Sequence, residues 1–324
     1  MKNFNFLFLF LAFVSQVAFA QLGSSKKDDV TLIKDRVLLI VVEEPKAELM
    51  DKLKDDDKTF YQTEIDEYNA LIKKVLPKYW KFSTKIEFQT RTEVNKLVKS
   101  KNEKYAYLEY SKFRVHFSNS MGLKATKNMK NGKFNLVGGY EESSFDIRLC
   151  EDNPLGVPVY GVYMPSVEPN EGEMVYALKQ MQLQLNRKLE GLKDIGIYSL
   201  YKDNARQMSG MKLLIDKELL NIEENEIEKY YTFPYEVVDK ARIDKAFVDE
   251  ESGVFTFVFI PRSGGETSTV VVDTKDGNEM GRTDNSRTTG VSVSVGNMDK
   301  YKKEFTKGSI RKDDLKIIAK QGSK

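Results

Sequence analysis

The sequence has one cysteine, one histidine and one tryptophan in 324 residues. A disulfide needs two cysteines, so a crosslinked scaffold is excluded, as is any zinc site built from several Cys or His ligands. A Cys-x-x-Cys redox centre is excluded for the same reason, because Cys150 stands alone. Cys150 ends an apolar-alternating run and reads as a packed filler, the usual fate of a free cysteine. A serine or cysteine triad would have to take its base from His116. That residue lies between Arg114 and Ser118 on the polar side of an expected strand, and no G-x-S-x-G motif accompanies it. Charge of one sign is also missing. The 51 basic and 49 acidic residues leave a net charge of +2, too little field to draw nucleic acid or anionic lipid. After the first twenty residues no apolar stretch approaches the roughly 20 residues that a membrane helix needs.

What is present begins with an address. Met1-Lys2-Asn3 leads into an apolar run from Phe4 to Phe19, broken by Asn5, Ser15 and Gln16, and Ala18-Phe19-Ala20 follows the A-x-A pattern. This reads as a cleaved secretory leader over 1–20, with a disordered start over 21–30 frayed around Lys26 to Asp29. No cysteine follows the run to accept a lipid, so the expected location is secreted or periplasmic. At 40% hydrophobic residues the remaining chain can fill a sizeable core.

The chain then uses one plan twice. Lys78-Tyr79-Trp80 recurs as Lys229-Tyr230-Tyr231, and Lys85-Ile86-Glu87-Phe88 matches Pro234-Tyr235-Glu236-Val237 in character. Glu93 to Val98 resembles Arg242 to Phe247, and each is followed by an apolar strand, Tyr105 to Tyr110 and Val254 to Ile260. Upstream, Val37 to Val42 has its counterpart in Met211 to Ile215. In the first copy Val37 to Val42 predicts a buried strand, and Tyr61, Ile65, Tyr68, Ile72 and Val75 predict a helix that Pro77 opposes. Phe113, Val115 and Phe117 predict a separate half-exposed strand, and Phe145, Ile147 and Leu149 the start of another. Asp152 to Gly156 is turn chemistry, with Val157 to Met164 as the returning partner. Met174 to Leu192 carry the apolar stripe of a closing helix.

In the second copy, 219–231 hold at most a brief helix, and Asp276-Gly277 predicts a hairpin turn. Val291, Val293 and Val295 alternate like a strand before a closing helix starting at Met298, Tyr301 and Phe305. The expected fold is mixed-sheet α/β, two tandem copies of a β-α-β-α-β-β-β-α module over 31–205 and 206–324. The second copy is the shorter, and each is expected to have its own core.

This order resembles the small envelope α/β domains at the amino terminus of TolB and of the CsgG and LpoB types. The resemblance is carried by Tyr105 to Tyr110, Phe145 to Asp152 and Met174 to Leu192. It implies a non-enzymatic envelope module that docks other proteins. The short second copy departs from the pattern.

No catalytic constellation is read here. With 49 acids, adjacent pairs such as Glu141-Glu142 or Glu250-Glu251 arise by number alone. Asp51 to Asp57 and Asp273 to Glu279 read as a solvated loop and a turn, since Lys275 occupies a position where a calcium loop needs oxygen. The doubled glycines at 138–139 and 264–265 open no helix that could cradle phosphate. Lys300 to Lys324 mixes both charge signs and reads as a solvated helix face. No cofactor and no metal are expected.

The one asymmetry with functional content is the Gly-, Asn- and Lys-containing insertion from Ser118 to Ser144 in the first copy. It reads either as a binding loop or as an extra hairpin including Lys133 to Val137. Phe134 and Tyr140 are its candidate partner anchors. The expectation is a non-catalytic protein-binding module whose partner is another envelope or secreted protein. The alternatives are an extracellular hydrolase using a carboxylate pair and a small-ligand carrier.

Overall fold

The computed structural model describes residues 21–22, 27–116, 139–192, 200–262, 266–288 and 309–323. The leader over 1–20 and the second-copy strand and helix start expected around 291–305 lie outside the described residues. Two mixed sheets hold the chain. The first contains β2 (Val37–Val42), β3 (Lys85–Thr90), β4 (Tyr105–His116), β5 (Gly139–Leu149), β6 (Tyr160–Tyr163) and the two-residue β1 (Gln21–Leu22). Its order is β1-β6-β5-β4-β2-β3. The second contains β7 (Lys212–Asp216), β8 (Tyr235–Val238), β9 (Val254–Arg262), β10 (Glu266–Asp273) and β11 (Glu279–Thr288), in the order β11-β10-β9-β7-β8.

Apart from the two-residue β1, which has no counterpart among the described residues, the two orders superpose strand for strand. In each sheet the first long strand pairs in parallel with the next two, and antiparallel hairpins follow. The chain is thus two tandem copies of one α/β plan, and the second is the shorter. The duplication extends to details that packing alone would not require. The short helices α4 (Arg91–Lys99) and α7 (Lys240–Val248) are capped by Thr90 and Asp239, whose side chains accept from the third residue onward, Glu93 and Arg242. Both helices then end through Lys101 and Glu250, each at φ 52°. The amide after each donates back to the helix, Asn102 to the Leu97 carbonyl and Glu251 to the Ala246 carbonyl. This left-handed helix stop normally favours glycine, and both copies make it without one.

The remaining helices are α1 (Lys27–Asp35), α2 (Ala47–Met50), α3 (Asp55–Tyr79), α5 (Glu171–Leu189), α6 (Leu200–Ala205) and α8 (Lys312–Gly322). Where the first copy has the long α3, the second has only a 3-10 turn over Glu224–Lys229. The repeated Lys-Tyr-aromatic motif closes both, with Tyr79, Trp80 and Tyr231 buried.

Five local expectations are corrected. Residues 27–30 belong to α1 and do not fray, because Val30 and Ile33 are buried against the core. The α3 helix runs two residues past Pro77. A proline so near the end interrupts little, and Trp80 still closes on the Leu76 carbonyl. Tyr105 to His116 form one strand rather than two, and Phe145 to Leu149 end β5 rather than start it. The closing helix described is Lys312–Gly322, which buries Leu315 and Ile318 and so is more than a solvated face.

The layers run α/β/α/β/α. One cluster on the outer face of the first sheet joins Leu39, Val41, Val94, Tyr107 and Cys150 under α4. A second, on the outer face of the second sheet, joins Leu213, Phe255, Val271 and Tyr231 to Leu315 and Ile318 of α8. Between the sheets a single apolar cluster runs from Leu38, Leu108 and Ile147 through Ile72 and Leu178 to Phe247, Val258 and Val270. The two copies therefore share their main core instead of each having its own. The reason is α5, whose apolar residues go to the first sheet while its other side meets α7. Gly172 of α5 lies so close to α7 that a Cβ there would stand 2.6 Å from the Asp244 Cα. Beyond α5, the Leu200–Ala205 helix lies against β11.

Candidate functional site

Residues that leave the layered body are the first place to look for a partner site. In the first sheet β2 accompanies β4 only through Leu108, and β6 accompanies β5 only through Ser144. The β4–β5 pairing continues without them, from Lys112 opposite Ser143 to His116 opposite Gly139. Ser143 is still covered, because its carbonyl accepts from the Met164 amide and its hydroxyl donates to the Ser166 carbonyl. From Phe113–Glu142 to His116–Gly139 the two strands form a ribbon whose outer edges pair with no other strand among the described residues. The second module is built differently, since β11 follows β10 as far as Glu266 opposite Thr288.

The ribbon carries the sequence insertion. The last six residues expected to be insertion, 139–144, are strand β5, while 117–138 and with them Phe134 lie outside the described residues. Tyr140 stands opposite Val115 in the ribbon. Phe134 and Tyr140 are thus not shown together. His116 ends β4 and pairs with Gly139.

A second feature sits where the parallel strands of the first sheet end. Chain connections leave β2 and β3 toward opposite faces there, the usual place for a crevice in an α/β sheet. Glu43 follows β2, Arg91 opens α4, and Glu109, Asp146 and Arg148 point from β4 and β5 to the α4 face. Arg91 binds Glu43 at 2.7 Å and also Glu109, while Arg148 Nε donates to Glu109 at 2.9 Å and Nη2 stands 3.7 Å from Asp146. Arg148 also donates to the Gly156 carbonyl, which draws the 151–159 loop over the cluster. Leu155 and Val157 project from that loop, 94% and 74% exposed. Burial pushes the Asp146 carboxyl up to about 6, against the pull of Arg148. Tyr107 beside it is raised by burial, and burial pushes the Cys150 thiol up to about 12, which keeps it a protonated filler.

Asp146 stands opposite Glu109, so the cluster holds two facing carboxylates. Yet both Glu109 oxygens accept from guanidinium groups, one from Arg148 and one from Arg91. A carboxylate held in that way has its lone pairs committed and is a poor base for water. The cluster fastens helix, strand and loop. Sequence reasoning missed it because its members lie far apart in the chain. The only local hint was charge at 109, 146 and 148 inside otherwise apolar strands.

No protein-family model matches the chain, and comparison with curated proteins and with solved structures finds no match to either.

Proposed function

We propose that the protein is a non-catalytic, two-module binding protein of the cell envelope or exterior. It holds another protein through the β4–β5 ribbon and the insertion at its tip. The observation that carries this reading is the ribbon itself, two paired strands that run on past β2 and β6 with outer edges unpaired among the described residues. Open strand edges are costly to leave exposed, since they invite pairing with any extended chain, and strand addition is a common way to capture a partner segment. The leader pattern over 1–20 and the resemblance to the TolB, CsgG and LpoB types of envelope domain support the location and the docking role.

The test uses two variants of the full chain. In one, 118–138 is replaced by Asn-Gly, which keeps both strands and closes them with a short turn. In the other, Val115→Pro removes a main-chain donor from the ribbon. Partners are cross-linked in the native host, identified with the parent chain, and then titrated as purified protein. Loss of binding in the turn variant, with an unchanged far-UV spectrum, is the expected result. Equal binding by parent and both variants would make the ribbon an ornament. Because apolar burial is not screened, the parent complex should also survive moderate salt.

A further inference from the structure

The first sheet opens with a strand of only two residues. Gln21–Leu22 pairs antiparallel with β6, Gln21 opposite Val162 and Leu22 opposite Gly161. Among the described residues no other strand lies beyond β6, so β1 alone closes that edge of the sheet. The strand it covers is buried over its whole length. Val162 in turn stands opposite Phe145 of β5, and both belong to the core between the sheets. Gln21 thus stands at the end of a row of core positions. Shortly downstream α1 is fixed by Val30 and Ile33, both fully buried.

Gln21 is also the residue that removal of the leader after Ala20 would expose. A new α-amino group has a pKa of about 8 and is charged at neutral pH. Beside a buried strand that charge loses water on one side, which is costly unless it is paired. Glutamine can remove such a charge by itself. Its side-chain amide carbon and its own α-nitrogen close into a five-membered ring, so the step is intramolecular and needs no second substrate. The lactam keeps one N–H, and the main-chain carbonyl of the residue remains for the strand ladder.

We propose, resting on the leader reading above, that the mature chain starts at Gln21 and that this residue is a modification site, closed to pyroglutamate. The α-nitrogen attacks Cδ, the N–Cδ bond forms and the Cδ–Nε2 bond breaks. The proton given up by the amine leaves with Nε2 as ammonia, and nothing is oxidised or reduced. The result is a neutral terminus that sits in the sheet as β1 and offers no free α-amine to an aminopeptidase. The site is separate from the ribbon, so its failure leaves the protein-binding reading standing.

The chain is purified from its native host, unfolded at once in guanidinium, and treated with formaldehyde and cyanoborohydride to dimethylate every free amine. Trypsin then cuts first after Arg36, because the lysines before it are blocked. The first peptide, read by mass spectrometry, should span 21–36, carry no label on its α-nitrogen and be lighter than the encoded sequence by one ammonia. A 21–36 peptide with a dimethylated α-nitrogen would overturn the modification and leave the leader standing. A chain that starts at any other residue would overturn both. Pyroglutamyl peptidase tests the placement in the sheet. It should release the terminal residue from the folded protein at least about tenfold more slowly than from the 21–36 peptide, since pairing with β6 protects the bond after Gln21. Equal rates would show that the closed terminus is not held as β1.

Discussion

Asp146 shows how much a single position can be altered by its surroundings. Its carboxyl is raised to about 6 by burial, from an ordinary value near 3.8. The folded state therefore holds the proton more tightly than the unfolded chain does. Its contribution to stability is fully present below about pH 4 and is lost as pH rises through about 6. The rise from 3.8 to about 6 corresponds to about 3 kcal/mol at most. Asp146→Asn keeps the shape and removes the titration. Urea midpoints of parent and variant should thus converge near pH 4 and separate by pH 7, with the variant gaining by about 1–3 kcal/mol. A constant difference from pH 4 to pH 7 would mean that Arg148 already holds the carboxylate ionised. The same scale shows the cost of the helix stops at Lys101 and Glu250, where a left-handed backbone is held without glycine.

Among the elements, α5 has the most demanding position, packed on both sides. Its capping box at Asn170 and Glu173 fixes the start, and its apolar stripe fits the first sheet. Its other side is polar yet buried, and Lys179 is the clearest case. The Nζ donates to the main-chain oxygens of Lys275 at 2.7 Å and Thr274 at 2.9 Å, and Glu250 stands 3.4 Å away. Burial lowers the Lys179 pKa, partly offset by Glu250. The β10–β11 turn approaches so closely that a Cβ on Gly277 would lie 2.8 Å from the Lys179 Cβ, and Gly277 has φ +80°. Lys179→Met keeps the volume and leaves those carbonyls without a donor. It should cost about 2–3 kcal/mol in urea unfolding, the penalty for breaking charged hydrogen bonds in a buried place. A change below about 0.5 kcal/mol, the range of an ordinary surface substitution, would show that water replaces the ammonium there.

At the scale of the molecule, the modules are arranged head to tail. The inner face of the first sheet, through α5, covers the α7 face of the second. Such a contact uses two different surfaces and has no built-in end, so a third module could add in the same way. The α4 face of the first module is the free equivalent of the covered one. Strand register places Glu109, Asp146 and Arg148 where the second module has Val258, Val270 and Val272. The positions covered by the other module are aliphatic, and those covered only by α4 and the 151–159 loop are charged and tied together. Terminal units of repeat proteins need a polar outer face for the same reason. Replacing all three with valine should make the protein associate in a concentration-dependent way in light scattering, beyond any association of the parent chain. A folded triple variant that associates no more than the parent would show that the face has another role.

Much of this was legible in the chain. The six apolar residues of β2, the stripe of α5, the Asp-Gly turn and the order of elements all follow from local pattern. Periodicity and turn chemistry act over a few residues, and each is written where it acts. The doubled plan was legible because equivalent strands face equivalent neighbours and so retain similar residues. What the tertiary structure decided is different in kind. The shared core, the close approach at Gly172 and Gly277, and the choice of which sheet face is covered depend on residues from distant segments meeting. The charged positions 109, 146 and 148 lie inside strands that read as apolar, and only the tertiary structure joined them to Arg91 and Glu43. The burial of Arg282 Nη1, with no partner among the described residues, is likewise invisible in sequence, because it is a property of the packed molecule.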